Sequence, residues 1–168
     1  EPLEGKVELK NINFGYDPTA PPILENFNLS LEPGQRVALV GSTGSGKSTV
    51  GRLICGLFKP WSGEILFDGR PLDAIHSEVL ATSMGKVDQA ILLFEGTLRD
   101  NLTLWDPQVP LEALDRAVQD AGIAQVVARR GGMEGKVEEG GKNFSGGERQ
   151  RLEIARALAL DPSILILD

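Results

Sequence analysis

The stretch Gly41-Ser42-Thr43-Gly44-Ser45-Gly46-Lys47-Ser48 carries the clearest chemistry in this chain. It fits G-x-x-x-x-G-K-[ST], a phosphate-cradling loop. Glycines let a backbone curl round phosphate oxygens where a Cβ would collide. Successive N–H groups then form an anion nest, and a helix N-terminus behind them adds partial positive charge. Lys47 brings a point charge to the β and γ phosphates, and the Ser48 hydroxyl is a ligand for a bridging Mg²⁺. Thr49 closes the set of loop residues expected around the ligand. A second signal lies far downstream, where Ile164-Leu165-Ile166-Leu167 precedes Asp168. A strand buried on both faces delivers one carboxylate to the metal at its C-terminal end. Many buried strands end in an acid, so this signal gains its weight only from the loop upstream.

Strands and helices have to hold these groups. Arg36 to Val40 reads as a short buried strand entering the loop, and Thr49 to Phe58 as the helix leaving it. Val50, Leu53, Ile54, Leu57 and Phe58 fall on one helical face, with Arg52 on the other. Val7 to Phe14 alternates apolar and polar, which predicts a half-buried, antiparallel strand. Ile23 to Leu31 reads as a second strand region and Glu64 to Phe67 as another, followed by a turn at Asp68-Gly69. Ser77 to Ala81 suits a short helix and Gly85 to Gln89 a short strand. From Ala90 the pattern turns helical: Thr97 to Leu104, Leu111 to Ala121, and Ile123 to Arg130 before Gly131-Gly132. A polar, glycine-rich loop spans Glu134 to Asn143. Ser145-Gly146-Gly147-Glu148 fits the capping box S-x-x-E and opens a helix to about Leu160, which Asp161-Pro162 stops.

The 168 residues suggest one domain, or one with a subdomain. With 41% hydrophobic and 24% charged residues the chain is globular rather than disordered. A net charge of −7 argues against a nucleic-acid surface, which is usually basic. The single cysteine, Cys55, excludes an internal disulfide and reads as a small core residue. His76, the single histidine, reads as a surface or turn residue. No apolar run approaches the ~18 residues a membrane crossing needs, and no signal peptide is visible. The chain has no initiator Met and stops directly after a strand-like run, so a piece of a longer protein is expected.

Once the loop and Asp168 are set beside Phe144-Ser145-Gly146-Gly147-Glu148, the chain resembles the nucleotide-binding domain of ABC transporters, in which the last stretch corresponds to the LSGGQ signature. The resemblance runs over residues 1–168. It implies an α/β P-loop fold with a mixed sheet, an N-terminal antiparallel β part and a helical subdomain, C-terminally truncated. Residues 1–89 and 143–168 would form the nucleotide-binding core and 90–142 the helical subdomain. Tyr16 stands where the family stacks an aromatic ring on adenine. Gln89 stands at the family's Q-loop glutamine, which contacts Mg²⁺ and reports the γ-phosphate to the helical part. Lys47, Gln89 and Asp168 would be the catalytic set, with Ser48, Gln89 and Asp168 around the metal. Leu93 to Leu102 and Val137-Glu138-Glu139-Gly140-Gly141 are similar to exporter sequence, most like peptide or bacteriocin exporters. Direction of transport rests on those two stretches alone.

The resemblance further implies ATP and Mg²⁺ as cofactors. It implies a second nucleotide-binding domain as partner, with Ser145, Gly146, Gly147 and Glu148 closing on the ATP held by the other copy. Transmembrane domains would be the other partner, on the cytoplasmic face of the inner membrane, the piece itself being soluble. Phe144 replaces the usual Leu and Glu148 the usual Gln; Glu148 can cap Ser145 but, ionised, donates no hydrogen bond. The family's catalytic Glu, D-loop and switch His lie beyond Asp168, so residues 1–168 are expected to hydrolyse nucleotide poorly, with an unpaired apolar sheet edge beside the loop. Two other readings remain: a DNA-repair or chromosome ATPase of the same superfamily, which would carry a long coiled coil between Lys47 and Ser145, and a catalytically degenerate binding module. No sustained heptad occurs in that interval.

Overall fold

The computed structural model describes residues 2–168. The chain divides into two units, one running to Met84 and taking in Asp168, the other covering Gly85–Leu167.

The first unit holds β1 (Val7–Phe14), β2 (Leu24–Leu31), α1 (Lys47–Ile54), β3 (Ser62–Phe67), β4 (Arg70–Pro71) and α2 (Ser77–Ser83). Its strands form one sheet in the order β2-β1-β3-β4, every pairing antiparallel, as the alternation in β1 predicts. Leu9 lies opposite Leu29 on one side and Ile65 on the other. The alternation carries a fault that has a purpose. Val7, Leu9, Ile12 and Phe14 are all buried, so Lys10 and Asn11 together occupy one outward step. Asn11 takes a left-handed φ of 51°, and the register with both neighbours shifts here. This is a β-bulge: without it, a period of two would turn Ile12 and Phe14 out of the core. Gly63 makes room for it, since a Cβ there would lie 2.5 Å from the carbonyls of Lys10 and Asn11.

The Asp68-Gly69 turn has positive φ at both residues, the hairpin geometry that asparagine-like and glycine residues favour. The Asp68 carboxylate accepts hydrogen bonds from the backbone N–H of Glu4 (2.7 Å), Gly5 (3.2 Å) and Lys6 (2.9 Å), fastening the N-terminal segment to β3.

Two predicted elements of this unit differ. α1 ends at Ile54 instead of Phe58. Gly56 adopts φ 71°, its N–H donates to Leu53 O and that of Leu57 to Arg52 O, which is a Schellman stop. Leu57 is therefore exposed rather than on the helix's buried face, and Cys55 is half-buried at the C-cap. Residues 36–40 form no strand and are exposed, Val40 at 90%. A buried parallel strand exists only with ladder partners on its flanks, and no strand among the described residues pairs with this stretch.

The second unit holds β5 (Met84–Val87, beginning at the boundary), β6 (Gly96–Thr97), α3 (Leu98–Thr103), α4 (Leu111–Asp120), α5 (Ala124–Arg129), β7 (Lys136–Val137), α6 (Gly146–Leu158) and β8 (Ile164–Leu167). β5 pairs with β8, and β6 with β7. Only Ile164 of β8 is buried, so the strand expected to be buried on both faces is open, Leu167 being 62% exposed. The core gathers Leu98, Leu114, Ile123, Val137 and Leu152 from α3, α4, the α4–α5 turn, β7 and α6. Full burial of each such side chain contributes about 1.5–3 kcal/mol. This core fixes α6, whose first turn presents Ser145.

Candidate phosphate-binding loop and signature helix

Gly44 and Gly46 take φ of 81° and 95°, which L side chains rarely adopt. Gly46 is the N-cap of α1, and no side chain caps that end. A Cβ on Gly46 would lie 2.9 Å from Leu24 Cδ2 and 3.0 Å from Ile23 Cγ2, so glycine is required by both conformation and space. The start of α1 is thus an uncapped set of backbone donors. Lys47 Nζ donates to Gly41 O at 2.6 Å and Ser42 O at 2.8 Å, with Ser45 Oγ at 3.4 Å. The ammonium spans the concave side of the loop, neutralising carbonyl dipoles where a polyanion would otherwise be repelled. Gly41 to Ser45 are exposed.

Ser48 Oγ donates to Asp168 Oδ1 at 2.7 Å, across 120 positions of sequence. A hydroxyl and a carboxylate side by side, both oxygen donors, fit a hard divalent cation that keeps its remaining places for phosphate and water. Among the described residues no group of three His, Cys, Asp or Glu side chains is placed to hold a metal. A cation at this point would therefore rest on Ser48, Asp168 and the oxygens of its ligand.

Tyr16, just past β1, packs edge-on against Phe14 and Phe58, each with ring centroids 5.3 Å away. Its hydroxyl shares a 3.0 Å hydrogen bond with Thr49 Oγ1 and accepts another of 3.0 Å from Arg52 Nη1. Thr49 is buried; Tyr16 remains 46% exposed. The ring is clasped to α1 at its tip and leaves nearly half its surface free for stacking. The sequence reading put Arg52 on the outer face but did not connect it with Tyr16. Phe58, freed by the Schellman stop, reaches Tyr16 because the helix does not continue.

Gln89 is exposed at the bend after β5, in the second unit. The signature residues belong to that unit too. Ser145 Oγ accepts from the Glu148 N–H (3.2 Å), and Glu148 Oε2 accepts from the Ser145 N–H (2.8 Å), the reciprocal capping box expected from sequence. That backbone hydrogen bond, helped by the Ser145 hydroxyl and by Arg130 and Arg129, holds the Glu148 carboxyl below its usual range against a desolvation push upward. Ser145, Gly146 and Gly147 are exposed. Phe144 is buried, the Arg130 guanidinium lies 4.7 Å from its ring centroid, and Arg130 Nη2 donates to Asn143 O. Asn143 in turn ties the Glu138 N–H (3.0 Å) and Lys136 O (2.8 Å), leaving Glu138 and Glu139 exposed beside the signature. His76 is exposed immediately before α2, as predicted.

Sequence reasoning missed Thr97 and Asp100, which form a second capping box on α3 although T-x-x-D is visible in the sequence. It also missed Arg156 and buried Asn101, for which the pattern offers no signal.

A glycine-formed anion cradle at the head of a helix, with a serine and an aspartate meeting at its mouth, defines the P-loop class of nucleotide-binding domains. The chain belongs to the ABC transporter family, whose family model matches residues 24–168. It is 40% identical over 167 residues to the Toxin RTX-I translocation ATP-binding protein of Actinobacillus pleuropneumoniae, and equally to the Leukotoxin translocation ATP-binding protein LktB of Mannheimia haemolytica. Each alignment covers 99% of this chain and 24% of the relative, so the chain spans about a quarter of the length of these proteins. A solved structure described as a bacterial Atm1-family ABC exporter with ATP bound matches with a TM-score of 0.86 at 37% identity, over 98% of this chain and 29% of that one.

Proposed function

We propose that residues 1–168 are one ATP-binding domain of an exporter, which couples ATP binding and hydrolysis to the movement of a peptide or polypeptide across a membrane. The observation that carries this is the Ser48–Asp168 hydrogen bond at the mouth of the glycine loop. A hydroxyl and a carboxylate so paired, beside the Lys47 ammonium and the uncapped backbone donors of α1, support a Mg²⁺-triphosphate site. Lys47 neutralises charge on the β and γ phosphates, and Tyr16 stacks on the base. When bound, Mg²⁺ supplies charge neutralisation between those phosphates. Residues 90–142 act as a helical subdomain.

Ser145, Gly146 and Gly147 are exposed at a capped helix start, with Glu148 partly buried in the cap. This supports a role against the nucleotide of a second copy. The Phe94–Trp105 ring pair, with centroids 5.7 Å apart, and exposed Leu92 and Leu104 form an apolar patch on the second unit. The patch suits contact with the helices of a membrane domain; among the described residues no helix is itself long and apolar enough to cross a membrane. The polypeptide cargo rests on the translocation functions printed for the relatives.

The test is reconstitution of the full-length protein in proteoliposomes, with ATP-driven uptake of a labelled polypeptide. Uptake and ATP turnover that both vanish in Lys47→Ala support the reading. ATP turnover stimulated by DNA, with no uptake, refutes it.

A further inference from the structure

Tyr16 stands two residues beyond the end of β1, in the loop that follows the strand. Between them is Gly15, where a Cβ would lie 3.0 Å from the Trp61 ring. A larger residue would press on that ring, so the step into Tyr16 keeps a glycine's freedom. Phe14 and Phe58 stand almost perpendicular to the Tyr16 ring, at 80° and 85°. Such apolar contacts tolerate a swing of the ring, whereas a hydrogen bond is directional and does not.

What fixes the ring is its tip. Thr49 and Arg52 are three positions apart on α1, hence neighbours on one side of that helix. An arginine only donates, so the phenol oxygen accepts from Arg52 Nη1 at 3.0 Å. Its own proton is then free to go to Thr49 Oγ1, also at 3.0 Å. Thr49 is buried in the helix. Two bonds from one helix locate one oxygen, where either alone would leave the ring a pivot.

We propose that Arg52 is a positioning residue for nucleobase recognition. It locks the Tyr16 ring to the helix that Lys47 opens, so that the surface for the base and the donors for the phosphates lie at a fixed span. This rests on the reading above, in which Tyr16 stacks on the base. Arg52 is five positions past Lys47, about 7–8 Å along the axis. A base that meets a ring so held has nothing further to order, whereas a free ring would have to be immobilised on binding. Arg52 itself needs no contact with the ligand. It is exposed, and Val50, Leu53 and Ile54 carry the core contacts of α1, so its replacement leaves the helix packed.

The experiment titrates ATP and inorganic triphosphate, each with magnesium, into the full-length protein by calorimetry. Wild type, Arg52→Met, Tyr16→Phe and the double variant are compared. Methionine keeps an unbranched stem and removes the donors. The expected result for Arg52→Met is an ATP affinity about three- to tenfold weaker, the scale of one side chain immobilised on binding. Inorganic triphosphate, which has no base, should bind as it does to wild type. In the Tyr16→Phe background the hydroxyl is already gone, so Arg52→Met should bring no further loss of ATP affinity. An equal fall for ATP and triphosphate would make Arg52 a general attraction for anions and overturns the proposal. An unchanged ATP affinity, with or without a lower melting temperature, overturns it too, as does a further loss in the Tyr16→Phe background. Should Arg52→Met not fold, Arg52→Gln, too short to reach the hydroxyl, carries the same expectations. Wild-type protein that binds ATP no more tightly than inorganic triphosphate refutes the stacking of Tyr16, and one that binds neither refutes the function; both are seen before any variant is made.

Discussion

Ser48 and Asp168 meet through a 2.7 Å hydrogen bond although 120 positions separate them. The same two residues would hold a divalent cation and supply it with oxygen ligands. Lys47, likewise, rests on two carbonyls of its own loop. Both groups are thus held by partners within the protein that a triphosphate and its cation would replace, which keeps them placed before the ligand arrives.

Replacing Lys47 by Ala removes the ammonium that bridges the carbonyls of Gly41 and Ser42 and frees them toward the ligand. ATP hydrolysis by the full-length protein should fall about a hundredfold or more, the scale on which a preorganised charge acts in such sites. Steady-state turnover measures this, with unchanged melting temperature as the control.

Gly46→Ala should cost at least about 1–2 kcal/mol for the left-handed conformation alone, before the clash with Leu24 Cδ2 at 2.9 Å is relieved. Urea unfolding measures the loss. A stability equal to wild type would mean that the loop had reshaped, and nucleotide affinity should then fall instead.

Tyr16→Phe keeps the ring and removes its hydrogen bonds to Thr49 and Arg52. Stability should drop by about 1–2 kcal/mol, near the net worth of two hydrogen bonds. ATP affinity should fall less than in Tyr16→Ala, which also removes the stacking surface. Inorganic triphosphate, having no base, should bind all three proteins alike; calorimetric titration checks both statements.

The capping box of α6 titrates. Glu148 ionises below the ordinary glutamate value of 4.5 because the Ser145 N–H and hydroxyl hold its carboxylate. A depressed folded-state value means that the contribution is complete above 4.5 and is lost as the pH falls through the lower folded value. The start of α6 should therefore fray in acid below pH 4.5 and not between 5 and 8. Amide exchange at 145–148 measures this, and Glu148→Gln should remove the acid step while keeping the cap.

What sequence could and could not say follows from the range of the interactions. The glycine loop and the Ser145 cap are local: their residue types answer to φ angles and hydrogen bonds within a few positions, and the pattern names them. The first sheet was legible for the same reason, since the alternation in β1 is written along the strand. Residues 36–40 misled because apolar runs announce a strand only on the assumption that ladder partners exist. Leu57 misled because helical spacing continues in the sequence past Gly56, which stops the helix in space. Arg52 and Arg156 were invisible because each acts through distant acceptors, a hydroxyl or main-chain carbonyls that any residue would offer.

The bulge at Lys10 and Asn11 makes β1 sensitive to an event that most strand positions would meet differently. In the coding sequence, the in-frame loss of codon 11 removes no side chain of the core and none of the nucleotide loop. It deletes the one spacer that keeps Ile12 and Phe14 facing inward. The downstream half of the strand would inherit the opposite phase, and Tyr16 would lose one of its two edge contacts, that to Phe14. A genetic screen for lost function should therefore recover single-codon deletions here, at a residue with no ligand role of its own.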